Sequence, residues 1–385
     1  MPPALTAAPE DRAGAILTVD LAAIVENWRR LKQLAGKTDV GAVVKADAYG
    51  LGMAQVAAAL LGAGCNTFYV AHLDEGITLR AALGRGARIV GMHGPASGRS
   101  EADFAAHAIV PVLSTPEQIK AWRTFAARHD VMMDCFVQVD TGMQRLGLTP
   151  AEFAAHMDDP DAFVGLHPLA LMSHLACADT PAHPLNKTQL ERFASTLSTF
   201  RLKFGDARGS LSNSAGLLLG TPWHFDFARP GIALYGSAPH VASPGTKPWP
   251  LVPVVRLEAR ILQVRRVDAA APVGYGAIVL APEGAKLATV SMGYADGLLR
   301  SAAIAGHGLL DGQRVPVIGR ISMDLTTFDV SAVAESSARA GNFIELIGTT
   351  HTVDDLARES GTVGYEVLTA LGQRFHRRYL PANRA

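Results

Sequence analysis

Residues 41–62 read GAVVKADAYGLGMAQVAAALLG and contain one complete unit of strand, loop and helix. The apolar run 41–45 ends on a lysine, the glycines at 50 and 52 permit a tight turn, and 53–62 has a helical pattern. A strand this apolar, joined at once to a helix, indicates a parallel sheet buried on both faces. Lys45 then raises a chemical question, because an amine at the end of a buried strand needs a partner.

The same unit recurs through the first two-thirds of the chain. AILTVD (15–20) is a predicted strand, and Asp20 can cap the amphipathic helix after it. Later strand candidates are 41–45, 68–72, 87–92, 108–113, 134–140, 169–174, 210–214 and 231–235. Helical patterns such as 53–62 and 74–83 lie between many of them. About eight units in about 220 residues predict a (β/α)8 TIM-type barrel rather than an open doubly wound sheet.

The pattern changes after SPGTKPWPLVP (243–253), a linker rich in proline and glycine. Beyond it polar and apolar residues alternate between glycine and proline breaks, which predicts a mostly antiparallel β domain with a short helix near 363–374. We therefore predict two domains, a (β/α)8 barrel over 1–247 and a mostly antiparallel β domain over 248–385.

Composition narrows the possible partners. The 385 residues include 35 basic and 35 acidic side chains, and this balance argues against nucleic acid or an anionic membrane as the main partner. The three cysteines form no CxxC pair, so neither a disulfide framework nor a metal site is predicted. The start, MPPALTAAPEDRAG, lacks a signal-peptide pattern and no apolar run is long enough for a membrane span, so we expect a cytoplasmic protein.

Polar side chains follow many of the predicted barrel strands, where function is found in this architecture. They are Lys45, His72, His93, Arg145, His174 and Ser214. One hypothesis makes the three histidines ligands of a metal-dependent hydrolase. The sequence disfavours it, because no HxH pair occurs and no aspartate ends a late strand.

The favoured hypothesis is a lysine that forms a Schiff base. Desolvation at a strand end makes the neutral amine of Lys45 accessible for a carbonyl group. A carbonyl cofactor with a phosphate would need an anion site, and ARPGIALYG (228–236) offers the backbone amides of Gly231 and Ile232. Ser214 and Tyr49 can add hydroxyl donors.

These residues also carry a family resemblance. The motifs are VVKADAYGLG (43–52), DTGMQRLG (140–147), LMSHLACAD (171–179), NSAG (213–216), ARPGIALYG (228–236), VGYGA (273–277), GYADG (293–297), GRISMDLTTFDV (319–330) and TVGYEVL (362–368). In this order, from about residue 14 to the C-terminus, they resemble the pyridoxal-phosphate-dependent alanine racemases. The resemblance implies an isomerase that interconverts L-alanine and D-alanine.

The resemblance assigns the cofactor contacts. It implies that Lys45 binds pyridoxal 5′-phosphate covalently and that Arg229 faces the pyridine nitrogen, with His174 orienting Arg229. The residues implied to hold the phosphate are Tyr49, Ser214, Gly231, Ile232 and Tyr365. An arginine stays protonated and donates a hydrogen bond without giving up a proton, so the ring nitrogen remains neutral. The cofactor is then a weaker electron sink, which disfavours side reactions such as transamination.

The resemblance also implies a mechanism with two bases on opposite faces of the substrate. Lys45 serves one face, and Tyr275 of the partner subunit serves the other in a head-to-tail homodimer. Arg145 and the backbone amide of Met323 bind the substrate carboxylate. Two further tyrosines, Tyr365 and Tyr294, narrow the entry and favour a small side chain, while Asp324 braces its loop.

Two positions depart from the common family pattern. Gln138 stands where many members carry a lysine modified to a carbamate, whose charge orients the arginine seven residues on. We predict no carbamate here and an Arg145 held less firmly or by another acceptor; a mass spectrum that shows a modified lysine beside Arg145 would refute this. Gly274 replaces a frequent serine, with little expected effect.

Three related functions remain as alternatives. A racemase of broader specificity would also accept serine or other small amino acids. Single-barrel proteins that bind pyridoxal phosphate for cofactor homeostasis lack the β domain. A decarboxylase of the same architecture should lack the tyrosine base and the SMDL motif that stands at 322–325 here. Whether D-alanine serves peptidoglycan synthesis or L-alanine is degraded stays open.

Overall fold

The computed structural model describes residues 9–96, 99–239 and 249–382. A parallel sheet follows the chain order through Ala42–Val43, Thr67–Val70, Arg88–Gly91, Ile109–Leu113, Met133–Gln138, Leu166–Met172 and Arg208–Ser210. Phe227–Ala228 pairs in parallel with Asp39–Val40, and the amides of Gly41 and Val43 donate to the carbonyls of Ala228 and Pro230. The last strand therefore meets the first, and the predicted barrel is confirmed.

Helices pack outside these strands, as the alternation of patterns predicts. They are Leu21–Ala35, Met53–Gly62, Leu73–Leu83, Glu101–Ala106, Pro116–His129, Pro150–Asp158, Pro184–Lys203 and Ser214–Leu218. The first begins at Asp20, whose carboxylate accepts from the amide of Ala23 at 3.0 Å. Every residue of Thr67–Val70 and of Ile109–Leu113 is buried, which explains why these strands are apolar without alternation.

Two strand predictions need correction. The strand predicted at 210–214 lies at Arg208–Ser210, and Ser214 already begins the helix Ser214–Leu218. Residues 231–235 do not form a strand, because Ile232–Tyr235 is a 3-10 helix and the strand in this region is Phe227–Ala228. All four residues of the 3-10 helix are buried. A short apolar run that is covered on every side has no readable period, so its sequence does not separate helix from strand.

The second sheet is built around the long strand Val255–Arg266. This strand pairs antiparallel with Ala15–Asp20, Lys286–Val290 and Phe343–Ile347. The sheet also contains His307–Leu310, Gln313–Pro316, Thr326–Asp329 and His376–Leu380, and a separate hairpin joins Ala271–Pro272 to Leu280–Ala281. Two helices follow, Val353–Glu359 and Gly364–Ala370, and the second is the helix predicted near 363–374.

The proposed domain division at 247 needs one correction. The strand Ala15–Asp20 was placed with the barrel, but it lies in the second sheet between Val255–Arg266 and His376–Leu380. Its side chains explain this, since Leu17 and Val19 are fully buried in the core that runs through both parts. The boundary between 247 and 248 and most of the predicted linker lie in 240–248, outside the described residues. Within the described residues, every helix is too short or too polar to cross a bilayer.

Candidate active site

A cavity of about 780 Å³ opens at the carboxyl ends of the barrel strands. Residues that follow strands form most of its wall, and the segment 362–369 of the second domain closes one side. Nine of the predicted site residues line it: Lys45, Tyr49, Arg145, His174, Ser214, Arg229, Gly231, Ile232 and Tyr365. The fold therefore brings together groups that are up to 320 residues apart in the chain (45 to 365).

Lys45 lies two residues after the end of the barrel strand Ala42–Val43 and lines this cavity. Burial lowers the pKa of its amine, the positive charge of Arg145 lowers it further, and Glu75 partly opposes both. A lower pKa increases the fraction of neutral amine at a given pH. Lys45 is therefore a better nucleophile toward an aldehyde than an ordinary surface lysine.

The turn after Lys45 has an unusual backbone. Ala46, Asp47, Ala48 and Tyr49 all have left-handed dihedrals, with φ between 54° and 57°. This conformation costs roughly 1–2 kcal/mol for each residue that has a Cβ atom. It brings the Tyr49 ring back to the cavity wall, and Tyr49 as a whole is only 7 % exposed. Such strain persists only where neighbouring groups hold it.

Glu75 is one of the groups that hold this turn. One carboxylate oxygen accepts from the amide of Ala46 at 2.7 Å, and the other accepts from the amides of Ala71 and His72 at 2.8 and 3.0 Å. Glu75 thus connects the turn to the end of the next barrel strand. Sequence reasoning missed it, although Glu75 stands three residues after the N-cap position of its helix, where a capping box places a glutamate.

We predict that Glu75→Ala lowers the free energy of unfolding by about 2 kcal/mol or more, because three amides lose a charged acceptor. It should also weaken pyridoxal phosphate binding several-fold, since the left-handed turn is released. The matched control is Glu152→Ala, which removes a capping carboxylate at Thr149, and neither residue lines the cavity. Urea unfolding and cofactor titration of both variants test this; equal cofactor affinity in the two would contradict the bracing role.

A second part of the cavity wall offers donors suited to an anion. The amides of Gly231 and Ala233 donate to the hydroxyl oxygen of Ser214 at 2.9 and 3.3 Å, so the O–H of Ser214 is left to donate to an anion in the cavity. A side chain at 231 would meet the Tyr49 hydroxyl oxygen at 2.3 Å, so glycine is required for this close approach. The Tyr49 and Tyr365 rings lie 6.0 Å apart. Burial raises the pKa of Tyr365 to about 12 and also raises that of Tyr49, so both phenols stay neutral donors. The group fits a phosphate.

Arg229 is buried at the base of the cavity among neutral acceptors. Its guanidinium donates to the Ser210 hydroxyl, to the carbonyl of Ser173 at 2.6 Å and to Nδ1 of His174 at 3.4 Å. Burial lowers its pKa to about 10, which still leaves it protonated at neutral pH. Within the described part of the chain it has no carboxylate partner. The arrangement suits a donor that faces a neutral aromatic nitrogen.

His174 takes the neutral form beside this charge. Burial, with the nearby charge of Arg229, lowers its pKa to about 3. Because the guanidinium is the donor, Nδ1 of His174 accepts and the ring proton belongs on Nε2. Folded protein therefore holds His174 neutral at pH values where a histidine in the unfolded chain binds a proton.

This difference sets a sign for the pH dependence of stability. The folded pKa of about 3 lies below the ordinary value of 6.5, so stability is lost as the pH falls from 6.5 toward 3. His174→Asn keeps an acceptor but removes the titration. We predict that the difference in unfolding free energy between wild type and variant shrinks from about pH 7 to about pH 4.5.

The control for this prediction is His167→Asn. The hydrogen bond to Asp134 raises the pKa of His167, so its contribution has the opposite sign and is lost as the pH rises. Urea unfolding at the same pH values measures both variants. If the difference in unfolding free energy between wild type and His174→Asn did not change with pH, His174 would have the same pKa in the folded and unfolded states, and the prediction would be wrong.

The loop that carries Arg145 is held by hydrogen bonds between a side-chain carboxylate and the backbone amides of the loop. The carboxylate of Asp140 accepts from the amides of Gly142, Met143 and Gln144 at 2.7 to 2.9 Å. Gln138 is buried and donates to the carbonyl of Leu146 at 3.2 Å. Among the described residues neither Gln138 nor any carboxylate makes a hydrogen bond or ion pair with Arg145.

Asp140 therefore takes over part of the positioning that sequence reasoning sought at Gln138. It holds the loop on which Arg145 lies, not the guanidinium itself. The available signal was the Asp-Thr-Gly order, since an aspartate before a glycine commonly accepts from amides two or three residues on. Arg145 stays exposed at the cavity wall, free to meet a substrate carboxylate.

Two predicted site residues are absent from this cavity. Tyr275 begins a short 3-10 helix of the second domain, and 73 % of its surface is exposed. Met323 is 54 % exposed. Exposed apolar side chains accompany them, with Ile278 at 57 % and Leu280 at 67 %. This face of the second domain therefore presents Tyr275 outward, away from Lys45 of the same chain.

The loop around Met323 is fixed by its neighbours. Its carbonyl accepts from the amide of Ala295 at 3.0 Å. Arg374 forms ion pairs with Asp324 at 2.8 Å and with Asp296 at 2.6 Å. Asp324 thus ties its loop to Arg374, and the backbone near Met323 is presented in one arrangement.

The barrel-end histidines do not assemble a metal centre. The rings of His72 and His93 pack edge to face with their centroids 4.6 Å apart, while His174 contacts Arg229. In the portion of the chain that the structure covers, these three residues form no group of metal ligands. The arrangement of these histidines therefore does not support the metal-hydrolase hypothesis.

Comparisons with known proteins agree over nearly the whole chain. Residues 19–239 match the family described as "Alanine racemase, N-terminal domain", and residues 254–379 match "Alanine racemase, C-terminal domain". The chain is 48 % identical over 371 residues to an alanine racemase of Rhodospirillum rubrum, covering 96 % of this chain and 97 % of that protein. A relative from Mesorhizobium japonicum, named as a catabolic alanine racemase, is 47 % identical over 96 % of this chain and 94 % of its own length.

A solved structure is similar as well. The alanine racemase of Bartonella henselae with covalently bound pyridoxal phosphate superposes with a TM-score of 0.89 at 37 % identity. The match covers 96 % of this chain and all of that one.

Proposed function

The chain belongs to the alanine racemase family, and we propose that it interconverts L-alanine and D-alanine with two bases, Lys45 and Tyr275. It is an isomerase, and its cofactor is pyridoxal 5′-phosphate. The observation that carries the residue assignment is the cavity in which a lysine of lowered pKa lies between an anion-binding wall and a buried arginine.

The residues present fit the cofactor. When bound, pyridoxal phosphate supplies an electron sink that makes the α-proton of an amino acid easier to remove. Lys45 would hold it covalently. The phosphate would be held by Tyr49, Ser214, Tyr365 and the amides of Gly231 and Ile232. Arg229, protonated and without a carboxylate partner in the described residues, would donate to the ring nitrogen, with His174 limiting its movement.

Two bases are needed because a proton leaves one face of the substrate and a proton returns to the other. The amine of Lys45 is placed for one face. For the other we propose the phenol oxygen of Tyr275 from the partner subunit. Its exposure of 73 % on an apolar face supports this, since the residue faces outward in a single chain. The proposal therefore includes a head-to-tail homodimer with composite sites.

The substrate is held by its carboxylate. We assign this contact to Arg145 and, from the second domain, to the backbone amide of Met323. Tyr365 at the cavity wall and Tyr294, 44 % exposed beside the Met323 loop, would narrow the entry and favour a methyl side chain. We propose a cytoplasmic location, in keeping with the free cysteines Cys65, Cys135 and Cys177.

A racemisation assay tests this function. Purified protein with pyridoxal phosphate should remove the optical activity of L-alanine and of D-alanine, and it should do so faster than for serine or larger amino acids. Retained optical activity of alanine, together with release of carbon dioxide from a long basic amino acid, would favour a decarboxylase. Bound cofactor without any turnover would favour a cofactor-binding role.

A further inference from the structure

Outside the cavity, the second domain contains a compact group of two histidines and one glutamate. His307 begins the strand His307–Leu310, His351 precedes the helix Val353–Glu359, and Glu359 is the last residue of that helix. Their side chains are only 10 %, 2 % and 11 % exposed. We propose that these three residues bind a divalent transition-metal ion of the zinc class, a site independent of the racemase reaction.

The distances suit one ion. Nδ1 of His307 lies 2.8 Å from one carboxylate oxygen of Glu359, and Nε2 of His351 lies 3.2 Å from the other. One ligand atom from each residue falls within 4.8 Å of the other two. Zinc binds nitrogen and oxygen at about 2.0–2.2 Å, so neighbouring ligand atoms in a tetrahedral site lie about 3.3 Å apart. Small side-chain shifts bring all three atoms to one centre and leave a fourth position for water.

Hydrogen bonding alone leaves this group incompletely satisfied. Nδ1 of His307 is close to Glu359 but lacks hydrogen-bond geometry, and Nδ1 of His351 is buried with no partner in the described residues. The two rings lie 4.0 Å apart, tilted by 39°. Buried polar atoms without partners cost free energy. A metal ion would give the lone pair of a neutral His307 a partner.

The chemistry of the ligands selects the class of metal. Two imidazoles and one carboxylate favour zinc, copper or nickel over calcium and magnesium, which prefer oxygen ligands. Among the described residues, Arg314 is the cation that pairs with Glu359, at 3.8 Å, and its side chain is 63 % exposed and can turn into solvent.

The site joins separate elements. A bound ion would tie the helix Val353–Glu359 to the strand His307–Leu310. The residues that follow this helix, Thr362 and Val363, line the active-site cavity. A metal here would therefore stabilise the segment that leads to the cavity without touching the reacting groups.

The test titrates the chelator-treated, desalted holoenzyme with zinc chloride, followed by calorimetry, and with cobalt chloride, followed by visible absorption. We expect one equivalent of zinc per chain and a thermal midpoint raised by several degrees at saturation. His307→Asn and His351→Gln should each weaken binding by about tenfold or more. His167→Asn, which removes a histidine paired with Asp134 on the barrel, should bind as wild type does.

Circular dichroism without metal shows whether each variant folds. If His351→Gln fails to fold, the result for His307→Asn, at the more exposed histidine, decides the outcome. No zinc binding by wild type, or equal affinity in wild type and His307→Asn, would overturn the proposal. Racemase activity is measured separately on the metal-free protein. If the protein showed no racemase activity, the measured zinc affinity would still decide the metal proposal. If the protein bound no zinc, the racemase assay would still decide the proposed function.

Discussion

Replacing Lys45 by alanine is expected to abolish racemisation, with a fall of at least about 10³-fold, because both the covalent link to the cofactor and one of the two bases are removed. The anion-binding wall remains, so pyridoxal phosphate should still bind, but without covalent attachment. Borohydride reduction followed by mass spectrometry should therefore add the cofactor to wild type and not to the variant.

The matched control for this prediction is Lys187→Ala. Lys187 lies exposed on an outer helix of the barrel, and in the described part of the chain its ion-pair partner is Glu191. This variant should keep both activity and the cofactor adduct. If Lys45→Ala formed the adduct or kept a tenth of the activity, the covalent lysine would lie elsewhere.

Tyr275→Phe is expected to lower kcat/KM by about 10² to 10⁴ in both directions. The ring is kept, so packing is preserved, and only the phenol oxygen is lost. The two enantiomers have equal free energy in water, so the loss must be the same from either side.

Hydrogen exchange in deuterium oxide separates the two faces. Lys45 remains in Tyr275→Phe, so one enantiomer should still exchange its α-proton without inversion, while the other should not. Size-exclusion chromatography checks that the variant assembles as wild type does. Full activity in both directions would make the two-base account wrong.

Much of the barrel could be predicted from the sequence because each strand is an apolar run followed by a helical pattern. The helix Met53–Gly62 and the cap at Asp20 rest on local signals and are found as predicted, while the strand predicted to end at Lys45 ends two residues earlier, at Val43. The strand Ala15–Asp20 is also local, but its partners are not. Pairing with Val255–Arg266 and His376–Leu380 depends on contacts more than 200 residues away, which no periodicity reveals.

Lys45 was predicted from its residue type and its place after a buried strand, whereas the role of Arg229 rested on the family resemblance alone. Glu75 and Asp140 were missed because their work is to accept backbone amides, and their sequence context is that of ordinary caps and turns. The absence of a metal site was predicted from cysteine spacing and barrel-end histidines. The group at His307, His351 and Glu359 is assembled by the second sheet from separate segments, so that reasoning could not reach it.

The central claim is that each active site joins Lys45 of one chain to Tyr275 of its partner. It is tested by a hybrid dimer purified from cells that express differently tagged Lys45→Ala and Tyr275→Phe chains. In a two-fold symmetric dimer with composite sites, one site of the hybrid contains both intact residues and the other contains neither. We predict about half of the wild-type activity for each purified hybrid. A hybrid no more active than the two parent variants would contradict the account.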